Sequence, residues 1–197
     1  MSAPAALVVA KIMFPETNYS SNEEVNLNEE NPSANAMDAL GNGTIVGLRL
    51  AVNVGAMLIS FISIIALLNY FLGLFGFSIE TILGSIFKPL AWSMGIPWSE
   101  SNAVGSLMGK KIVFTEFVAF ADLKSLIDSD LISERAAIIA SYALCGFANF
   151  GSIGIQLGGI GGIAPKRRKE IAQLIFKAMI GGAIASWLTA TLAGILL

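Results

Sequence analysis

The chain has 197 residues, of which 55% are hydrophobic and only 13% charged, with a formal net charge of −2. Its mean hydropathy is +0.73, whereas a soluble domain carries about a quarter charged residues. Residues 50–79 and 136–165 each run 30 positions without Asp, Glu, Lys or Arg, and about 20 mostly apolar residues suffice to cross a bilayer, so the composition is that of an integral membrane protein.

The same arithmetic removes several chemistries. There is no His, which excludes Ser-His-Asp and Cys-His nucleophilic sites and His-ligated metal centres. The single cysteine, Cys145, can neither close an intramolecular disulfide nor supply a thiolate cage, and reads as a small packing residue. No basic cluster with interleaved aromatics points to nucleic acid. No Walker or dinucleotide glycine motif supports ATP-driven transport. Nothing in the pattern supports an enzyme, a resident cofactor or a metal site.

In chain order, residues 1–14 (MSAPAALVVAKIMF) are apolar apart from Lys11. At 1.5 Å per residue they reach about 21 Å, short of a bilayer core of about 30 Å. They lack the basic start and cleavage site of a signal peptide, and are expected to be the tail of a truncated spanning helix. Residues 15–43 are acidic, rich in Asn and Ser and free of Lys and Arg, the composition of a solvated loop. Residues 44–77 are long enough to span with tilt, and Arg49 can snorkel to the interface. Residues 78–98 are apolar but interrupted by Lys88 and Pro89, with Trp92 and Trp98 close by. A helix broken at Pro and flanked by Trp is expected to lie in the interface.

The segment 101–127 holds Lys110, Lys111 and Glu116 inside apolar sequence. As one spanning helix it would bury three charges, each costing about 2.5–3.5 kcal/mol on insertion scales. A re-entrant hairpin avoids this, with Gly109 stopping the first arm and Thr115 capping the second. Non-helical tips persist at membrane depth only where they are buried or line a cavity. Glu116 is therefore a candidate ligand-binding carboxylate, and the alternative is an ion pair with Lys110 or Lys111 that merely holds the tip. The lysines themselves read as neutralising or solvated tip residues.

Residues 136–165 contain seven glycines, at 146, 151, 154, 158, 159, 161 and 162, with Asn149, Ser152 and Gln156 among them. Close packing through small residues explains the glycines but not the polar side chains. A discontinuous helix, unwound around 149–154 to expose hydrogen-bonding groups, explains both. The basic run KRRKE at 166–170 is cytoplasmic by the positive-inside rule. The last helix, 171–197, then exits outward, leaving the C-terminus outside and the acidic loop in the cytoplasm.

The run SYALCGFANFGSIGIQLGGIGGIAPKRRKEIA, with EFVAF at 116–120, resembles the concentrative nucleoside transporters. MSAPAALVVAKIMFPE, NVGAMLISFISIIALLN and the closing ATLAGILL extend the resemblance over essentially the whole chain, against the C-terminal half of that family's core. The resemblance implies an all-α integral membrane fold, the second of two inverted repeats, with a re-entrant hairpin at 101–127 and a discontinuous transmembrane helix at 136–165. It implies inward nucleoside symport in the plasma membrane, coupled to sodium or to protons, by a homotrimer in the lipid bilayer. Carried over residue by residue, ribose binding falls on Glu116, Asn149 and Ser152, with Phe147 packing beside the ligand. The sequence departs from the family at Thr115, where many members have Asn. The base-reading hairpin and the cation site belong to the family's first repeat, outside this chain, which supplies the ribose-binding half and is not expected to transport alone. The alternative is a membrane assembly partner or inert truncated product without transport, for which Glu116, Asn149 and Ser152 would be superfluous.

Overall fold

The computed structural model describes residues 2–15 and 34–197. In chain order the described helices are α1 (Ser2–Met13), α2 (Ala36–Gly73), α3 (Ile79–Ser93), α4 (Ser101–Val113), α5 (Glu116–Asp128), α6 (Glu134–Leu144), α7 (Phe150–Ile163) and α8 (Arg168–Leu196), with a 3-10 turn at Pro165–Arg167 between the last two. The expected acidic loop lies largely outside the described residues, but its last part does not. Residues 36–43 are helical, because Asn35 caps α2 by accepting from the Asp38 amide at 2.9 Å while the Asp38 carboxylate accepts from the Ala34 amide at 3.0 Å. Helix α2 thus starts well before the anticipated position 44, and its 38 residues reach about 57 Å at 1.5 Å per residue.

The turn out of α2 carries Gly76 at φ +77°, and Asn69 locks the corner. The Asn69 carboxamide accepts from the Ile79 amide at 2.9 Å and donates to Glu80 at 2.8 Å, which gives the buried Glu80 carboxylate a partner. Helix α3 is not broken at Pro89, contrary to expectation, and continues to Ser93. The proline removes one hydrogen bond to the preceding turn, and tight packing against α4 holds the helix through the defect. At its end Trp92 and Trp98 meet edge to face at 6.1 Å, and Lys88 lies 4.4 Å over the Trp98 ring.

Glycines allow the α3–α4 approach. A Cβ on Gly105 would stand 2.6 Å from the Gly84 carbonyl, and one on Gly109 3.1 Å from the Glu80 carbonyl. Gly109 therefore does not stop the first arm as expected; α4 runs on to Val113. The small-xxx-small pair Gly105 and Gly109 instead lets two backbones touch.

The main core gathers α3 to α6 and α8 around Ala91, Val104, Met108, Leu123, Ile139 and Ala190. Two polar ties close it. Arg135, at the start of α6, donates to the carbonyls of Gly95 and Gly194 at 3.2 and 2.5 Å. Glu100 accepts from both the amide and the hydroxyl of Ser133, the α6 cap, at 2.9 and 2.8 Å. A smaller cluster of Ala148, Met179 and Ala183 joins the helix break to α8, while α1 packs on α8 and α2 on α7.

Among the described residues α8 is long and apolar enough to cross a membrane. Helix α2 leaves Ile45, Leu48, Ile59 and Leu67 more than half exposed, a bare apolar flank that marks a lipid or protein contact surface. Replacing Gly105 by Ala should destabilise the protein by about 1–3 kcal/mol through backbone overpacking. Gly41, where a Cβ meets nothing within 4 Å, should tolerate Ala, and thermal unfolding in detergent measures both.

Candidate functional site

Two interruptions face each other. The first is the tip between α4 and α5, where Phe114 and Thr115 leave helical geometry. Thr115 occupies the cap position of α5 in extended conformation, but its side chain makes no capping bond, so the sequence expectation holds for the place and fails for the interaction. The second is the gap between α6 and α7, residues 145–149. It opens where Gly146 takes φ +137°, a conformation that only glycine adopts without strain. The unwinding falls earlier than the expected 149–154, because Asn149 starts a helix here.

Asn149 caps α7 through a reciprocal capping box. Its side-chain oxygen accepts from the Ser152 amide at 2.7 Å, and the Ser152 hydroxyl accepts from the Asn149 amide at 3.3 Å. The same hydroxyl donates to the Asn149 carbonyl at 2.6 Å. Free amides at a helix start need acceptors, and Asn is among the best residues for supplying one. Both side chains are buried, Asn149 at 1% exposure and Ser152 at 0%.

Glu116 opens α5 and reaches this cap from the hairpin. Its carboxylate accepts from the Asn149 side-chain amide at 3.2 Å. Glu116 is partly exposed, so one face of the carboxylate remains open. Counting valences, Asn149 has committed its oxygen to the Ser152 amide and one amide proton to Glu116. The Ser152 hydroxyl has given its proton away. The groups with bonding capacity to spare are carboxylate oxygen lone pairs on Glu116 and the second amide proton of Asn149, the latter on a side chain that is almost wholly covered. Phe147 stands two residues ahead of Asn149 with 55% of its surface exposed, so an aromatic face is available beside the polar pair. The structure thus brings Glu116, Asn149 and Ser152 into one hydrogen-bonded chain, and leaves Phe147 adjoining it in the break.

The lysines behave differently from each other and from expectation. Lys110 pairs with Asp122 of α5, bracing the two arms, and neither residue is the partner of Glu116. Lys111 is wholly buried, the largest such side chain among the described residues, and its ammonium donates to the Ala143 carbonyl in the last turn of α6 at 2.9 Å. The sequence reading missed this role. The signal was available: Val104, Leu107 and Met108 form the buried stripe of α4, and Lys111 continues it at helical spacing while Lys110 does not. Among the described residues no group of three or more His, Cys, Asp or Glu side chains stands together as a metal cluster.

A stack of helices with two facing interruptions, joined by polar side chains that are buried at the second, is the arrangement of a membrane transport protein rather than of a lipid-facing anchor. The family described as Na+ dependent nucleoside transporter C-terminus matches residues 1–194, and the chain belongs to this family of integral membrane transporters. It is 44% identical over 98% of its length to an uncharacterised transporter, YutK, of Bacillus subtilis, and 38% identical over 99% to the nucleoside permease NupC of Helicobacter pylori. It is also 38% identical over all of its length to human solute carrier family 28 member 3. The chain spans 50% and 49% of the two bacterial relatives and 32% of the human one. Among solved structures, CNTnw in an inward-facing substrate-bound state matches 98% of the chain with a TM-score of 0.76 at 40% identity, covering 48% of that protein. A CNTnw double variant in an outward-facing state matches 98% of the chain with a TM-score of 0.85 at 37% identity, again covering 48% of that protein.

Removing the Ser152 hydroxyl should leave the buried Asn149 amide without its side-chain acceptor. Ser152→Ala is expected to cost about 1 kcal/mol, against less than about 0.5 kcal/mol for Ser60→Ala at an exposed site. Thermal unfolding of both variants in detergent makes the comparison.

Proposed function

We propose that the chain takes part in cation-coupled nucleoside uptake and supplies the ribose-binding half of the site. The observation that carries this reading is the Glu116–Asn149 pair, a carboxylate and a carboxamide held together across two helix interruptions. An ionised carboxylate is acceptor-only and suits the paired hydroxyls of a ribose, while the spare amide proton of Asn149 suits a ribose oxygen. Bonds to a charged group are about twice as strong as neutral ones, so Glu116 dominates recognition. Ser152 acts through Asn149, whose orientation it fixes, and Phe147 flanks the sugar.

In this reading α4 and α5 form a re-entrant hairpin whose tip lies at membrane depth, and α6 with α7 forms one discontinuous spanning helix. Helix α3 lies along the interface, α2 is a scaffold helix, and the unit from α3 to α8 is the second of two inverted repeats. The basic turn around Arg167 and Arg168 faces the cytoplasm, which leaves the C-terminus outside. The base-reading surface and the site for the coupling ion, sodium or proton, lie on the other half of a full-length transporter. Assembly is as a homotrimer in the plasma membrane.

The test is uptake of radiolabelled uridine and adenosine by cells expressing the full-length transporter that carries this chain. Glu116→Gln preserves the shape of the side chain but removes its charge, and should reduce uptake about 10- to 100-fold, the scale of a lost charge-assisted hydrogen bond. Surface expression should persist. Uptake of both nucleosides at the wild-type rate by this variant would sink the assignment.

A further inference from the structure

The hairpin tip carries two opposite charges five positions apart, Lys111 on α4 and Glu116 on α5, and each meets a different end of the interrupted helix. Helix α6 ends at Leu144, so its last carbonyls have no following turn to satisfy them and form the negative pole of that helix. The Lys111 ammonium donates to one of these carbonyls, that of Ala143, at 2.9 Å. On the other side of the gap, Asn149 begins α7, whose free amides form a positive pole, and Glu116 binds there through the Asn149 side chain at 3.2 Å. The cation faces the negative end and the anion faces the positive end.

The surroundings leave Lys111 little freedom. Its side chain is 0% exposed, and a Cβ built on Gly146 would stand 3.8 Å from its ammonium and 2.5 Å from the Ser186 hydroxyl of α8. The ammonium therefore lies near the bare backbone of the break, which Ser186 of α8 also approaches. A buried ammonium without partners is costly enough that such groups are found paired, so α4 is held where Lys111 can reach Ala143. The tip follows three residues later, and Glu116 immediately after it.

We propose that Lys111 is a positioning residue of the nucleoside site: by docking on the carbonyl end of α6 it fixes the hairpin tip so that the Glu116 carboxylate faces Asn149 and the incoming sugar. The proposal rests on the ribose-binding reading of Glu116. It requires no contact between Lys111 and the ligand. A salt bridge from Lys110 to Asp122 braces the two arms against each other, so displacement of α4 carries α5 with it.

The test compares Lys111→Met, Lys111→Gln and Lys111→Arg in the full-length transporter, with Glu116→Gln measured alongside. Met keeps the apolar stem and removes the charge, Gln retains a neutral donor, and Arg retains the cation. The expected result is a KM for uridine or adenosine raised about 10-fold or more in Met and Gln, as for one misplaced bond to a charged group. Maximal uptake per transporter at the surface should change much less, and Arg should restore KM to within about 3-fold of wild type, roughly 0.6 kcal/mol. Where Lys111→Met fails to reach the membrane, Gln against Arg decides. A KM in Gln equal to wild type, with Glu116→Gln inactive, overturns the positioning role while leaving the sugar site standing. A fully active Glu116→Gln variant instead removes the ribose-binding reading on which it depends.

Discussion

The fold is organised around the gap between α6 and α7, which lies inside the protein. Ending α6 at Leu144 and starting α7 at Phe150 leaves unpaired carbonyls on one side and unpaired amides on the other, in a place where other helices displace water. Each unsatisfied group buried this way is unfavourable by about 1–3 kcal/mol, so the surrounding elements must supply partners. The Asn149–Ser152 capping box serves the amide end, and the Lys111 ammonium serves the carbonyl end. The gap exists because Gly146 permits φ +137°, and α8 fits against it because no side chain projects there. Hairpin and break are thereby tied together by a few polar atoms at and beside the candidate site.

The rest of the molecule serves to hold these two interruptions in register. Helices α3 and α4 approach until backbone meets backbone at Gly84 and Gly105, which sets the depth of the hairpin's first arm. Glu100 and Arg135 tie the outer ends of α4, α6 and α8 together, and Ala143 and Leu144 pack fully buried against the main core. Helix α2 is attached differently, through the Asn69 corner and its packing on α7. Much of its apolar surface stays bare, as suits a helix whose neighbours are lipid or other protein.

The helical, membrane-embedded character and the family were legible because they rest on local quantities: apolar run length, and a run of small and polar residues around ALCGFAN. Glu116, Asn149 and Ser152 stood out for a related reason, since polar groups in apolar sequence need a purpose. What could not be read was how they pair. Glu116 and Asn149 are 33 residues apart, and no periodicity encodes that Asn149 gives its oxygen to a cap and its amide to the carboxylate. Gly109 and Pro89 misled because their local effects, ending and breaking helices, were overridden by the α3–α4 contact. The early start of α2 was missed because the Asn35–Asp38 cap lies in polar sequence that resembles a loop. Lys111 was undervalued because a lysine is judged by its charge, although its helical register already placed it on the buried face.

The charge balance at the tip also narrows what kind of ligand suits it. A lone carboxylate would attract any cation, including amines. Here a second charge of opposite sign, the Lys111 ammonium, stands five positions earlier at the same tip, docked on the Ala143 carbonyl. An incoming anion would meet the partly exposed Glu116 carboxylate, while the ammonium is wholly covered. A neutral molecule with several hydroxyl donors suffers no such repulsion, and can place its protons on the carboxylate lone pairs. In the proposed reading the exposed Phe147 ring adds an apolar face near these groups, which suits a ligand carrying a flat or carbon-rich surface along with its hydroxyls. In the same proposed reading, a sugar joined to a heterocyclic base combines those features.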